Sequence, residues 1–301
     1  MKRWDRLIDR FATGKAVRRK PVTVEWYRQR LSHWAEFTTS RKLKPKKVKA
    51  KHLDKFFAGL REAGYTANTI KGTETALRTF FGWLVRRGKM KRNPFDRFEP
   101  VEVPRQSQPI IRLEYAYRMI RAAEADDSVI ARRDAAIMRF LLSTGARREE
   151  VVSVRWEWLD LAGGLVKLRG KFGHERLIPL VATTVTALAI WIEARPASDW
   201  LFVSLKANQY NQVGDKLAVN TINKLLDRWK IAAGLPEEAE VNPHAWRRRF
   251  ATELAKAGDP FRLQTLLGHL DMNTTKKYIL DQPDILREMI ERYGPGIKGD
   301  T

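Results

Sequence analysis

The sequence predicts a mainly α-helical protein with one small β-sheet, divided into two domains. Three observations lead there. Apolar residues recur at helical spacing along most of the 301 residues. A proline-rich segment breaks that pattern near residue 100, and one pair of short alternating segments follows at 165–180.

The elements follow in order. Residues 1–20 are basic and run into Pro21, which reads as a short helix or arm. From Thr23, residues Val24, Trp26, Tyr27, Leu31, Trp34 and Phe37 have helical spacing. Proline and dense positive charge make Arg41–Lys49 a solvated loop. Helices are predicted next over His52–Ala63 and Thr66–Arg87, the second started by Thr66 or Asn68. Residues 1–96 are thus expected to form a helical bundle with a basic face. Four prolines (Pro94, Pro100, Pro104, Pro109) and the polar run Gln106-Ser107-Gln108 mark a linker, placed at 97–109.

Residues 110–301 make the second domain. Helices are predicted over Arg112–Ala125 and Ile130–Leu142. A hairpin follows, with strands Leu165–Arg169 and Arg176–Leu180 around a turn at Lys171–His174. Helical patterns resume at Val181–Ala194, Val219–Ala233, His244–Ala257 and Asn273–Asp281, with a last amphipathic piece at Asp284–Tyr293. No internal repeat is visible.

Charge narrows the partner class. The net charge is +22 at pH 7, and it is unevenly spread. Residues 1–100 hold 27 Lys/Arg against 9 Asp/Glu, net +18, whereas the other 201 hold 30 against 26, net +4. This asymmetry implies a polyanionic partner, most simply nucleic acid. Mean hydropathy is −0.45, no apolar run suits a membrane span, and Met1-Lys2-Arg3-Trp4-Asp5 lacks the apolar core of an export signal. The absence of cysteine excludes disulfides, a thiolate nucleophile and a Cys-based zinc site. A cytoplasmic protein is expected.

Several segments of the second domain could carry chemistry. Gly145 can end one helix by a left-handed cap, which leaves Arg147 at the start of the next, where free N–H groups favour an anion. Gly170-Lys171-Phe172-Gly173 puts a lysine at a hairpin tip. His244 and Arg247 share a helix face three residues apart, after a cap and first-turn proline at Asn242-Pro243. Leu266-Leu267-Gly268-His269 and Tyr278 follow. Singly, each has an ordinary explanation: an arginine paired with Glu150 at i,i+3, a solubilising lysine, a surface basic helix, a structural histidine, a core tyrosine.

Together and in this order, Thr144-Gly145-x-Arg147-x-x-Glu150, the Gly-Lys hairpin, His244-x-x-Arg247, Leu266-Leu267-Gly268-His269 and Tyr278 resemble the tyrosine recombinases, also called lambda-integrase-like or phage-integrase enzymes. The resemblance covers essentially the whole chain, since the bundle resembles that family's SAM-like core-binding domain. It implies a two-domain clamp on duplex DNA. Arg147 and Arg247 would hold the non-bridging oxygens of the scissile phosphate, a task suited to forked, permanently charged donors. Tyr278 would be the nucleophile, forming a 3′-phosphotyrosine link and freeing a 5′-hydroxyl. A phenol titrates near ~10, so His244 would assist its deprotonation. Lys171 would protonate the leaving 5′ oxygen, with Lys167 in the adjacent strand as the nearest alternative. His269 would bind phosphate or orient Tyr278, and Glu150 would buttress the pocket.

No metal or other cofactor is implied, because two arginines supply the neutralisation that Mg²⁺ gives many nucleases. The residues expected to contact DNA are Arg18, Arg19, Lys20, Arg41, Lys42, Lys44, Lys46, Lys47, Lys49 and Lys71. Implied partners are double-stranded recombination sites, a tetramer of the chain on DNA (the tail Asp284–Tyr293 docking on a neighbour or packing in cis) and accessory DNA-bending proteins. The chain departs from the family in two places: Arg248 stands where a histidine is common, and Phe172 and His174 sit in a hairpin usually built from Gly and Lys. Phage or mobile-element integration is the expected activity. The alternatives are chromosome-dimer resolution, suggested by the little room left for an arm-binding domain of about 60 residues ahead of the bundle, or a non-catalytic DNA-binding regulator.

Overall fold

The computed structural model describes residues 3–17, 21–100, 108–170, 173–207, 209, 211–256 and 260–267, with side chains in the last stretch from 264. Its chain divides into two compact units, Met1–Gln106 and Ser107–Thr301.

Among the described residues, four helices build the first unit: α1 (Arg3–Ala16), α2 (Pro21–Ser40), α3 (Ala50–Glu62) and α4 (Ala67–Arg86). Of the short helix or arm read from residues 1–20, the structure has the helix. Trp4, Ile8 and Phe11 recur at i, i+4 and i+7, and all three are buried. Trp4 stands edge-on to Trp34 at 5.9 Å, and Phe11 edge-on to Phe80 at 5.3 Å. Such pairs add about 0.5–1.5 kcal/mol each beyond the area they bury. The indole Nε1 of Trp4 donates to the Leu43 carbonyl at 2.7 Å, which ties α1 to the basic loop.

That loop is not wholly solvated, as the sequence suggested. Pro45 opens a 3-10 turn over Pro45–Lys47, and both Pro45 and Val48 are buried. With those two residues as anchors, Arg41, Lys42, Lys44, Lys46, Lys47 and Lys49 all remain exposed. Thr66, rather than Asn68, caps α4, accepting from the Thr69 N–H at 3.3 Å. Lys71 is less available than its neighbours in the expected DNA-contacting set: its Nζ lies 2.9 Å from the buried Glu74 carboxylate, which Arg78 also meets at 2.8 Å. Pro94 and Phe95 are buried in a further 3-10 turn, Pro94–Arg97, and Phe98 packs against the same core. Arg18, Arg19 and Lys20 lie outside the described residues.

The second unit contains α5 (Leu113–Glu124), α6 (Val129–Thr144), the single turn α7 (Arg148–Val151), strands β1 (Leu159–Asp160), β2 (Leu165–Arg169) and β3 (Glu175–Pro179), then α8 (Ala182–Ala194), α9 (Val219–Ala232), α10 (Pro243–Ala255) and α11 (Pro260–Leu267). The sheet is antiparallel in the order β1-β2-β3. Strand β1 was not predicted, because two residues carry no alternation to detect. In the β2–β3 ladder Val166 faces Ile178 and Leu168 faces Arg176. Val166, Leu168 and Ile178 are core residues, so Arg176 enters the interior on the same face.

Helix α6 runs through the core, with Ile137, Met138, Phe140 and Leu141 fully buried. It also carries Asp134, whose buried Oδ1 accepts from Arg133 Nε at 3.0 Å and Nη2 at 2.9 Å. Its Oδ2 accepts from Trp229 Nε1 at 2.9 Å and from Arg228. This polar knot joins α6 to α9, and Arg133 Nη1 extends it to the Val203 carbonyl at 3.2 Å. Among the described residues no helix is long and apolar enough to cross a membrane. The predicted segments Asn273–Asp281 and Asp284–Tyr293 lie outside the described residues.

Asp134→Ala leaves the Arg133 charge buried without its anion and should cost about 3–5 kcal/mol. Urea unfolding followed by tryptophan fluorescence will show this as an earlier transition of the second unit, the first unit's transition being unchanged.

Candidate active site

The site begins where α6 stops. Gly145 takes a left-handed conformation (φ 57°) and caps the helix, as its sequence context predicts. A second constraint acts on the same residue, because a Cβ there would lie 2.3 Å from Cδ1 of Phe250 on α10. Only glycine lets α6 end against α10. The chain then turns so that Arg147 becomes the residue capping α7 (φ −70°, ψ 147°).

The anion-binding role given to that helix start needs correction. Helix α7 is one turn long, and the Arg147 backbone N–H already donates to Glu150 Oε2 at 2.9 Å. Charge at this point therefore comes from the arginine side chain. Its Nη1 donates to Glu150 Oε1 at 3.0 Å, while the side chain stays 36% exposed.

Glu150 itself is only 4% exposed, and a lone carboxylate at that depth would be strongly disfavoured as an anion. Arg176 compensates. Its Nη1 and Nη2 donate to the two carboxylate oxygens at 3.1 and 2.8 Å, a forked contact from β3. Burial alone would raise the pKa of Glu150, but Arg176 and then Arg147 outweigh it and hold the value at about 2. This carboxylate therefore favours the fold above its ordinary value of 4.5, and the contribution is lost as pH falls from there through about 2.

Helix α10 brings the next residues. Asn242 Oδ1 accepts from the Ala245 N–H at 3.0 Å, with Pro243 in the first turn, as expected from sequence. His244 is exposed, whereas Arg247, three residues on, is 4% exposed. Arg247 Nη1 donates to the Gly145 carbonyl at 2.5 Å and Nη2 to the Leu267 carbonyl at 2.6 Å. It thereby joins the segment leading into Arg147 to the residue preceding Gly268-His269. Arg248 and Arg249 do not make α10 a free basic surface. Arg248 donates to the Pro109 carbonyl and to Gln108 Oε1, the latter at 2.7 Å, and Arg249 Nε donates to the Ile111 carbonyl at 2.7 Å. Both bind the segment that leads into α5.

The pKa of His244 lies below its ordinary 6.5. Partial loss of hydration is the first cause, and repulsion from Arg248, Arg148, Arg247 and Arg147 adds to it. An imidazole in this setting is neutral at pH 7 and can accept a proton.

Residues 111–284 match the phage integrase family. The chain belongs to that family. Residues 8–88 match the phage integrase N-terminal SAM-like domain. The tyrosine recombinase XerD of Listeria monocytogenes serotype 4b (strain F2365) is 29% identical over 287 residues, 91% of this chain and 92% of that protein. The tyrosine recombinase XerC of Pelotomaculum thermopropionicum is 29% identical across 97% of this chain and 99% of its own length. Among solved structures, the XerH site-specific recombinase bound to a palindromic difH substrate aligns with TM-score 0.74 at 20% identity, covering 90% of this chain and 80% of that one. A lambda integrase (75–356) dimer bound to a COC′ core site aligns with TM-score 0.72 at 18% identity, covering 99% and 98%. These structural likenesses concern the fold. The two-domain, mainly helical architecture expected from sequence is that of this family.

In this recombinase the described residues bring together Arg147, Glu150, Arg247 and His244. Lys171, His269 and Tyr278 lie outside the described residues, as does Phe172. The flanks of the hairpin are in place: Gly170 N–H donates to the His174 carbonyl at 2.8 Å, and a Cβ on Gly170 would lie 3.1 Å from Glu150 Oε1. The residue before Lys171 thus abuts the Glu150 carboxylate. Lys167, the alternative acid, pairs in register with Leu177 on the sheet face opposite Arg176; it lies 3.6 Å from Glu175 and against the Trp158 ring. Among the described residues no group of His, Asp and Glu is arranged to hold a metal ion. Sequence reasoning missed Arg176. A signal for it existed, since strand alternation places it beside Ile178 on the core face, where an unpaired charge is not tolerated.

In an NMR titration, the His244 ring should show a midpoint below 6.5. Arg248→Gln, which removes one of the four repelling cations, should move that midpoint upward; an unchanged midpoint would show that Arg248 does not contribute to it.

Proposed function

We propose that this recombinase cuts and rejoins duplex DNA at a specific site through a covalent 3′-phosphotyrosine intermediate. Tyr278 Oη attacks the scissile phosphorus, and His244 accepts the phenolic proton. The bond from phosphorus to the 5′ oxygen breaks, and Lys171 gives that oxygen a proton. Arg147 and Arg247 stabilise the charge that develops on the non-bridging oxygens. His269 contacts the phosphate or orients the tyrosine. Rejoining is the same path reversed with a new 5′-hydroxyl, and because the phosphoester count is conserved it needs no nucleotide energy source.

The observation that carries this reading is the convergence of a partly exposed guanidinium, Arg147, with Arg247 and a neutral histidine at one helix junction of a family-matched domain. The exposed lysines and arginine of the 41–49 loop support phosphate binding by the first unit, with Lys71 the least available of the expected contacts among the described residues. Association into a tetramer on DNA, with the tail segment Asp284–Tyr293 docking between copies, belongs to the same proposal, as do accessory DNA-bending proteins.

Between the two activities considered from sequence, the similar proteins shift the balance. Integration was the first expectation, but the relatives named above are XerC and XerD, so resolution of chromosome dimers is the reading we adopt. Residues 1–96, 97–109 and 110–301 are proposed as core-binding domain, linker and catalytic domain.

Incubating the protein with fragmented DNA of its own host and sequencing the covalently trapped fragments tests both levels. One chromosomal inverted-repeat locus is expected; capture only at the ends of a mobile element would overturn dimer resolution in favour of integration. Tyr278→Phe should retain duplex binding and form no adduct, and persistent adducts in that variant would remove Tyr278 as nucleophile. Lys171→Ala should cleave slowly, with near-normal rates restored by a 5′-bridging phosphorothiolate, a leaving group that needs no proton. Absence of rescue would assign the acid elsewhere.

A further inference from the structure

Arg176 has no place in the catalytic scheme, yet all three of its guanidinium nitrogens are engaged. It lies on β3 with its side chain 7% exposed. Two of its nitrogens hold both oxygens of Glu150, 26 positions away, and the third, Nε, donates to the Leu266 carbonyl, 90 positions away, at 2.9 Å. Glu150 in turn holds Arg147 twice, by backbone and by side chain. Leu266 lies in the last turn of α11, directly before Leu267, whose carbonyl Arg247 holds. Gly170, adjacent to Lys171, packs against the same carboxylate.

We infer that Arg176 is a positioning residue, which through Glu150 sets the Arg147 guanidinium and through Leu266 sets the end of α11. The planar fork is what makes this possible, since a single group bonds two carboxylate oxygens along one edge and a carbonyl along another. A lysine ammonium is a point charge and cannot span both partners in that geometry. The inference rests on the recombinase reading for its consequence, because Arg147 matters to catalysis only if it meets a phosphate.

A comparison of charged and neutral substrates tests it. The full-length protein is given duplex with an ordinary scissile phosphodiester, or with a methylphosphonate there, which lacks the negative charge that Arg147 would neutralise. Arg176→Gln should slow adduct formation on the phosphodiester by about 10²-fold, the scale expected for a misplaced catalytic group. Duplex affinity should stay within about twofold of wild type, because the phosphate contacts of the basic first unit are untouched. On the methylphosphonate the variant and wild type should differ by no more than about threefold, since the loss scales with the charge Arg147 meets. A defect of folding slows both substrates equally, and an equal loss would overturn the inference.

If Arg176→Gln fails to fold, Arg176→Lys is put through the same comparison; it should show a smaller loss on the phosphodiester that again shrinks on the neutral substrate. Should wild type form no adduct at all, the recombinase reading fails, and positioning is then judged without DNA. The Glu150 carboxyl, followed by carbon-detected NMR, should titrate about 1–3 pH units higher in Arg176→Gln or Arg176→Lys than in wild type. An unchanged titration would overturn the link from Arg176 to Glu150.

Discussion

A carboxylate buried to the depth of Glu150 stays ionised only if cations come to it, and much of the second unit's architecture answers that requirement. One cation arrives from its own turn, as Arg147, and the other from the sheet, as Arg176. The consequence is mechanical as well as electrostatic. The turn carrying Arg147 and the last turn of α11 are held to one carboxylate or to the arginine that pairs with it, and Gly170, at the end of β2, lies beside the same carboxylate. A side chain that contacts no substrate in the proposed scheme thus sets the spacing of those that do.

The end of α6 supplies the second constraint. Gly145 allows that helix to stop against Phe250, and Arg247 then reaches the Gly145 carbonyl from the neighbouring turn of α10. Arg247 is consequently an internal crosslink as well as a proposed phosphate ligand. Arg248 and Arg249 use the same helix for a different purpose, binding the chain as it enters α5. Three consecutive arginines face three directions because a helix advances about 100° per residue.

Local signals were legible in advance. Gly145 as a left-handed cap, Asn242-Pro243 as a helix start and Thr66 as a capping hydroxyl all act within a few residues, so their sequence context contains their partners. The helical spacing of Trp4, Ile8 and Phe11 was equally local, and it shows residues 3–16 to be part of the bundle rather than an arm. Strand β1 was invisible because it exists only as the partner of β2. Arg176 is an intermediate case: alternation marks it as inward-facing, but nothing near it in sequence names Glu150 as the reason.

The residues alone determined the chemistry on offer and its order: a cap glycine, Arg147, a hairpin lysine, His244 with Arg247, Gly268-His269 and Tyr278, in a chain whose excess charge sits in its first hundred residues. Tertiary structure decided which of those charges are paired and which remain open. Arg147 stays partly exposed, Lys71 is drawn to Glu74, His244 lies exposed among cations, and Lys167 falls on the far face of the sheet. The physical reason is distance along the chain. That reason holds most clearly for Arg176 and Arg247, whose bonds join residues 26, 90 and 102 positions apart and are selected by proximity in space, whereas the Arg147–Glu150 and Lys71–Glu74 pairs, three residues apart, lie within reach of a local pattern.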